Sequence, residues 1–527
     1  MMPWWALTVL ALGANFALWG AIGLVRLAEA GTQRWRRGPS AAARWQVAMA
    51  AAGDGEAGHD SAPGDAAAGA GSGSPLTVAD VAVLIPAHNE ALVIGESLRS
   101  IMALVPRQNV HVVSDGSTDA TVRIARGAGV HVIETRENVG KAGALEDAIQ
   151  RFGLTGRFAV VLLLDADTRV EPGYFGAALP MFDDPRVVAV AGCVRTAPGR
   201  KLTFGGNVLV GHRTRIYAVA QRALKFGQTW LRSNATPIVP GFASMYRTRV
   251  LPQIDLNPPG LVIEDFNMTF EVYQKRLGKV GFTLGAVAVT QDPDNFRDYV
   301  RQTKRWAVGL WQTVRRHPPK ANLFTAMLAL LLIELITSSV LFLLLPLTLL
   351  VLAVPELAGG ALSWPWFYDI YTAVSAHVKL STVLFGVVLP DYLLTCAVVV
   401  LERRPRLLLL GFFFPFMRIV DATIALYAVP AAWLSRSSGR WKSPARRAVA
   451  GPAPAVQATV TEPAIHAAVV TGVVPQAAVT QPAPGGARAF GNAHLAGGGK
   501  LRIASPGNWR KARRILRSSG QRPCAPA

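Results

Sequence analysis

The sequence predicts a doubly wound α/β domain on an open parallel sheet, set between helices that cross a membrane. Between Val78 and Asp167, short apolar strands alternate with helical stretches of about ten to fifteen residues, the pattern of successive βαβ units. At the N-terminus and after Leu323 the chain instead runs apolar for roughly twenty residues at a time, the length that crosses a hydrocarbon core. Composition agrees. A mean hydropathy of +0.30 accompanies 54 basic against 33 acidic residues, a net charge of +21. Soluble proteins rarely combine the two, whereas a bilayer protein with basic cytoplasmic loops beside anionic lipid does so naturally. The lipid bilayer therefore ranks ahead of nucleic acid as partner of the basic residues, and no nucleic acid is expected.

A length of 527 residues allows two or three folding units. Residues 1–28 hold one apolar run, Trp4 to Val25, with no basic leader and with Arg26, Arg34, Arg36 and Arg37 after it. That pattern predicts a retained membrane helix whose C-terminal end faces the cytoplasm, rather than a cleaved signal. Residues 29–77, rich in Ala, Gly and Ser, lack the apolar surface to fold alone and are expected to be a flexible linker.

Residues 78–318 are expected to form one cytoplasmic domain. VADVAVLIPAHNE is a strand followed by a helix through Ile94, Leu98 and Ile101, and VHVVSDG is a second strand with a helix from about Thr118 to Gly127. VHVIE gives a third strand and KAGALEDAIQRF a helix. FAVVLLLDAD gives a fourth strand, apolar throughout as a strand covered on both faces must be. In such sheets ligands lie at the carboxyl ends of the strands. His88, Asn89, Glu90, Asp115, Asp165 and Asp167 all fall there.

Residues 319–447 return to apolar runs. Leu323 to Val354 is one long or two short spans, with Pro346 inside, and Leu380 to Leu401 is interrupted by Pro390. Leu407 to Leu434 contains Pro415, Arg418 and Asp421, and basic clusters flank it, so it is expected to be broken or re-entrant. Glu334, Arg418 and Asp421 are costly in hydrocarbon. They either line a polar path or satisfy one another between helices. Residues 448–527 read as a disordered basic tail. From residue 435 onward there are fourteen Lys or Arg against one acid, Glu462, so most of the excess charge is peripheral to the chemistry. Cys193, Cys396 and Cys524 are too few and too scattered for a disulfide framework or a zinc site.

Five places carry candidate chemistry. Asp165 and Asp167 follow a buried strand. In isolation such a pair is a turn or a helix cap, yet its hard oxygens also suit Mg²⁺ or Mn²⁺ bridging a diphosphate. Asp115 in SDGSTD is either a turn residue or an acceptor of hydrogen bonds from a nucleobase or ribose. Lys141 opens a helix, where a cation is mildly unfavourable. It is either a solvated surface lysine or a contact to a phosphate. Glu264 and Asp265 open the helix LVIEDFNMTFEVYQ, as dipole complements or, for Asp265, as a base for an attacking hydroxyl. Gln302, Arg305 and Trp306 share one face of a helix with basic and aromatic sides. They mark an interfacial helix that can also serve as a lid, with an aromatic platform and a cation.

Taken in order, PAHNE, SDGSTD, ENVGKAGAL, DAD, IED and QTKRW resemble the signature of the processive family-2 glycosyltransferases, which include cellulose, chitin, hyaluronan and poly-N-acetylglucosamine synthases. The resemblance covers residues 80 to about 316, and the helices and GRWKSPAR extend it to about 447. It implies a GT-A-type, Rossmann-like nucleotide-diphospho-sugar transferase fold. It also implies transfer with inversion from a UDP-sugar, UDP-GlcNAc or UDP-glucose, to a growing β-linked polysaccharide. Pro86, Ala87, Asn89, Glu90, Asp115, Lys141, Asp165 and Arg305 become donor contacts, with Asp115 on uridine. Asp165 and Asp167 become ligands of Mg²⁺ or Mn²⁺, Asp265 the catalytic base with Glu264 beside it in the catalytic pair, and Gln302, Arg305 and Trp306 the acceptor lid. Accessory export or regulatory proteins would be further partners. The sequence departs from many relatives at Ser114 and at Ile263, where acid and threonine are usual. Two other readings stand beside this one: transfer of a single sugar to a polyprenyl phosphate or glycolipid, and a non-catalytic membrane scaffold with a basic binding tail.

Overall fold

The computed structural model describes residues 2–37, 75–197, 202–358 and 360–434. Residues 38–74, most of the expected linker, lie outside the described residues, as do GRWKSPAR and the basic tail.

Helix α1 (Trp4–Leu12) and helix α2 (Ala14–Arg37) replace the single N-terminal helix expected from the sequence, with a bend of 78° between them. Gly13 makes the bend with φ 91, a conformation costly for any residue with a Cβ. The Glu334 carboxylate accepts from the Asn15 N–H and Nδ2 at 2.8 Å each, satisfying donors that the break exposes. Helix α2 also continues past residue 28 into the expected linker. Arg26 anchors it by donating to the carbonyls of Phe226 and Phe282, and Glu29 accepts from Trp230 and Arg232.

The α/β domain follows in chain order: β1 (Val81–Ala87), α3 (Ile94–Met102), β2 (Val110–Ser114), α4 (Thr121–Gly127), β3 (His131–Glu134), α5 (Gly140–Arg151), β4 (Val160–Leu164), β5 (Arg169–Val170), α6 (Tyr174–Ala178), β6 (Val187–Thr196), α7 (Phe204–Val219), β7 (Ala243–Arg247), α8 (Glu264–Gln274), β8 (Lys279–Thr290) and α9 (Phe296–Arg316). One eight-stranded sheet has the order β3-β2-β1-β4-β7-β6-β8-β5. Strands β1 to β4 are mutually parallel, as their apolar runs predict, and every residue of β1, β2 and β4 is buried. Each Val, Leu or Ile so enclosed contributes about 1.5–3 kcal/mol. The open parallel sheet expected from the sequence ends there. Strand β7 runs antiparallel to both β4 and β6, and β5 antiparallel to β8, so the second half is mixed. An α/β domain with apolar helices beside it, as expected, is otherwise the architecture found.

Helix α10 (Leu323–Leu357) is one helix of 35 residues with Pro346 inside it. An amphipathic helix α11 (Pro365–Ser375), absent from the sequence reading, precedes α12 (Leu389–Glu402). The residues from Leu380 lead into α12 through a π-turn at Leu384–Val388, just ahead of Pro390, which lacks an N–H to donate. Helix α13 (Phe414–Leu434) continues from Leu407 through a 3₁₀ turn, and the whole stretch is long and apolar enough for one span. The 3₁₀ turn at Gly411–Phe413 interrupts it near its start, without a bend of the size found at Gly13. Pro415 stands in the first turn of α13, where a missing N–H costs nothing. Among the described residues three helices are long and apolar enough to cross a membrane, or four if α1 and α2 form one bent span.

Candidate active site

Strands β1, β2 and β4 end side by side, and the turns after them are stitched together. Asn89, in the left-handed region at φ 55, accepts from the Thr118 N–H at 2.8 Å, and its own N–H goes to Ser117 Oγ at 3.1 Å. The Glu90 N–H donates to Thr121 Oγ1 at 2.9 Å. Of the donor contacts expected in PAHNE, Pro86, Ala87 and Glu90 are buried within this turn, and Asn89 alone is exposed.

The Asp115 side chain is fully buried and accepts from the N–H groups of Val139 and Gly140 at 2.8 and 2.9 Å and from Thr135 Oγ1 at 3.0 Å. It caps the start of α5. A carboxylate there complements the helix dipole that a lysine in the first turn opposes.

That lysine is Lys141. Its Nζ lies 2.8 Å from Asp165 at the end of β4 and 2.9 Å from Glu264 at the start of α8. Burial alone would lower the lysine pKa, but Asp165 and Glu264 outweigh it and raise it. Glu264 is likewise pushed up by burial, yet Lys141, and more weakly the charge of Arg305, hold it below the usual carboxylate value. Asp265 has no ion-pair partner among the described residues. It accepts only from the N–H groups of Gly241 at 3.2 Å and Phe266 at 3.0 Å, and burial, reinforced by Glu264, pushes it up to about 6. Two adjacent carboxylates are thus pushed in opposite directions, Glu264 down by Lys141 and Asp265 up by burial.

Asp167 follows Asp165 on the same turn, close enough to Asp292 beyond the end of β8 that the two carboxylates repel. Burial first, then Asp167, push Asp292 up to about 6 against the pull of Arg213. Tyr217 donates to Asp292 at 2.9 Å. Among the described residues no three His, Cys, Asp or Glu converge as a ready-made metal cage. Asp165 and Asp167 nevertheless suit a hard divalent ion that completes its coordination on a diphosphate. Burial, aided by Asp167, raises the Asp165 carboxyl in spite of Lys141, and a bound cation would favour its ionised form.

The expected lid is formed by α9, which is strapped to the entrance of α8. Gln312 accepts from the Val262 N–H at 3.0 Å, and Ile263 packs against Gly309. The aliphatic side chain found in place of the usual threonine is therefore a packing contact. Arg305 is exposed, whereas Gln302 and Trp306 are half-buried. Trp306 is not an open platform on both faces, because the Arg213 guanidinium covers its ring at 4.5 Å. Arg213, Tyr217 and Asp292 were missed by the sequence reading. Asp292 closes an apolar strand, VAVTQD, by the same cue that drew attention to Asp165, and the two arginines of GHRTRIY interrupt an otherwise apolar helix.

The charged groups expected to line a polar path are satisfied between helices. Glu334 holds the α1–α2 break, Arg418 donates to Asp391 at 3.1 Å, and Asp421 pairs with His212 at 2.8 Å and accepts from Tyr299 at 2.7 Å. Asp391 in turn is ion-paired with Arg215 of α7. Breaking such a buried pair by removing one partner typically costs about 3–5 kcal/mol. The long apolar helices and the α/β domain are accordingly joined through α7.

Residues 79–309, under half of the chain, match the family described as "Glycosyltransferase like family 2". The chain is 27% identical over 240 residues to the "Uncharacterized glycosyltransferase YaiP" of Escherichia coli (strain K12), covering 44% of this chain and 57% of that protein. It is equally similar to the "Probable glycosyltransferase YdaM" of Bacillus subtilis (strain 168), over 44% and 54% of the two chains. These matches span little more than half of either relative. Among solved structures, the mannosyltransferase PcManGT from Pyrobaculum calidifontis, in complex with GDP-Man and Mn²⁺, aligns over 80% of this chain and 99% of its own at 19% identity and a TM-score of 0.43. That likeness is too distant to carry an argument about this chain.

Proposed function

We propose that this chain is a membrane-embedded, inverting glycosyltransferase that moves a sugar from a UDP-sugar to a growing β-linked polysaccharide on the cytoplasmic side. The observation that carries the reading is the Lys141-bridged cluster. It gathers Lys141 of α5, Asp165 at the end of β4 and the adjacent Glu264 and Asp265 of α8, three separate elements, at the carboxyl edge of the sheet, with the amphipathic helix α9 packed beside them. The family match over residues 79–309 supports the same class.

In this reading Asp165 and Asp167 would hold Mg²⁺ or Mn²⁺, whose chemistry when bound is to neutralise the leaving diphosphate. Lys141 and Arg305 supply fixed positive charge on that side of the cleft. Asp265 takes the proton of the acceptor hydroxyl as its oxygen bonds to the anomeric carbon. The carbon–oxygen bond to the diphosphate breaks on the opposite face, and UDP departs with inversion. Gln302 and Trp306 hold the acceptor. Asp115 acts behind this surface, fixing the turn that presents Lys141.

A second reading, one transfer to a polyprenyl phosphate or glycolipid, is favoured by one observation. Glu334, Arg418 and Asp421 are tied to partners between helices, where a chain-conducting path calls for exposed polar groups. Incubating the purified full chain with labelled UDP-sugars and Mg²⁺ or Mn²⁺, then weighing the product, separates the two. Polymer supports the first reading and a lipid-soluble monosaccharide adduct the second. No transfer from any donor overturns both.

A further inference from the structure

Four residues of α9 close on a single side chain from another element. The Arg213 guanidinium of α7 lies 4.5 Å from the ring centroids of both Tyr299 and Trp306, and it donates to Gln302 Oε1 at 3.3 Å and Thr303 Oγ1 at 2.6 Å. Positions 299, 302, 303 and 306 follow the i, i+3, i+4, i+7 spacing of one helical face, so one cation grips two turns of the helix. Arg213 is 3% exposed and has no carboxylate in ion-pair contact among the described residues. Its charge is balanced at longer range by Asp292 and Asp421.

The grip continues into the membrane helices. Tyr299, stacked on Arg213, donates its hydroxyl to Asp421 of α13 at 2.7 Å, and Asp421 also binds His212, the residue before Arg213. Helix α7 and helix α13 together therefore hold the rotation of α9. A lysine at 213 would keep the charge but lose the planar guanidinium that sits against both rings while one of its nitrogens reaches Gln302 and Thr303.

We propose that Arg213 is a positioning residue for the acceptor. By setting the rotation and register of α9, it aims Gln302 and Trp306 into the site without touching the donor. The proposal rests on the reading of α9 as an acceptor lid.

The test compares the wild type, R213K and R213M as full chains in detergent. Because the contact of the planar guanidinium with both rings matters more than the charge, turnover is expected to fall about tenfold or more in R213M and about fivefold in R213K, with donor KM within about twofold and with R213K melting like the wild type. Independently of any activity, hydrogen–deuterium exchange should quicken in peptides spanning residues 299–308 in both variants and stay unchanged in α4. Wild-type turnover in R213M, or unchanged exchange over 299–308, overturns the proposal. So does a loss of donor affinity that parallels the loss of turnover, since that marks a general structural role. If the wild type transfers no sugar, the functional reading fails on its own while the exchange measurement still decides whether Arg213 grips α9.

Discussion

Lys141 stands 2.9 Å from Glu264, and that contact separates the roles of two neighbouring acids. Glu264 is held ionised as a counter-ion, which leaves Asp265, bonded only to backbone N–H groups, as the acid able to accept a proton. A positioned general base is worth about 10²–10⁴ in rate. Asp265→Asn is therefore expected to lower kcat by about that factor while UDP binding by calorimetry stays within about threefold. Retention of more than a tenth of wild-type turnover would exclude Asp265 as the base.

The same residue sets the acid limb of the pH profile. Burial and Glu264 push Asp265 up to about 6, and a base works only when ionised. Turnover should accordingly be level above that pH and fall about tenfold per unit below it. Initial rates between pH 4.5 and 8 at saturating donor check this. A flat profile down to pH 5 contradicts the assignment.

Removing the lysine should disturb stability and donor binding together. Lys141→Met leaves two poorly solvated carboxylates facing each other without their cation. Removing one partner of a fully buried pair costs about 3–5 kcal/mol, and here about 2 kcal/mol is expected because the Asp165 side chain keeps 32% of its surface in solvent. Thermal unfolding in detergent reads the stability change. UDP affinity, measured alongside, should fall at least about tenfold.

Much of this arrangement is legible from the sequence, and the failures have physical causes. The βαβ half was readable because strands covered on both faces are apolar throughout, and Asp165, Lys141 and Asp265 were readable because they end or begin such elements. The mixed half was not, since the apolar residues of β6, β7 and β8 do not record whether their neighbours run parallel or antiparallel. That Asp115 caps α5 was not legible, because a turn carboxylate looks the same in the sequence whether or not a helix start lies across from it. The pairing of Glu334, Arg418 and Asp421 across helices depends on residues as distant as Asn15 and His212, a relation no local pattern contains.

A metal requirement follows from the two hard carboxylates, Asp165 and Asp167, one residue apart at the end of β4. Chelation should abolish both transfer and metal-dependent UDP binding, and both should return on adding Mn²⁺ or Mg²⁺. Asp167→Asn, which halves the formal charge of the pair, should raise the metal concentration for half-maximal activity by about tenfold or more while the unliganded protein melts unchanged. Transfer that persists in excess chelator rules this out.

Gly241 tests the cluster from its backbone side. Its N–H donates to Asp265, and a Cβ built on it would lie 3.0 Å from Lys141 Nζ, 3.2 Å from Glu264 Oε1 and 3.7 Å from Asp265 Cβ. One added methyl must therefore displace the lysine from between its two carboxylates, although the long side chain gives way more easily than a strand would. Gly241→Ala is expected to shift Tm by only a few degrees, a cost of about 1 kcal/mol. Turnover should fall about tenfold or more, because the charges that bind the donor lose their mutual geometry. Unchanged turnover in a normally folded Gly241→Ala protein would mean that the cluster tolerates a shifted Lys141, and the central place given to that lysine would have to be abandoned.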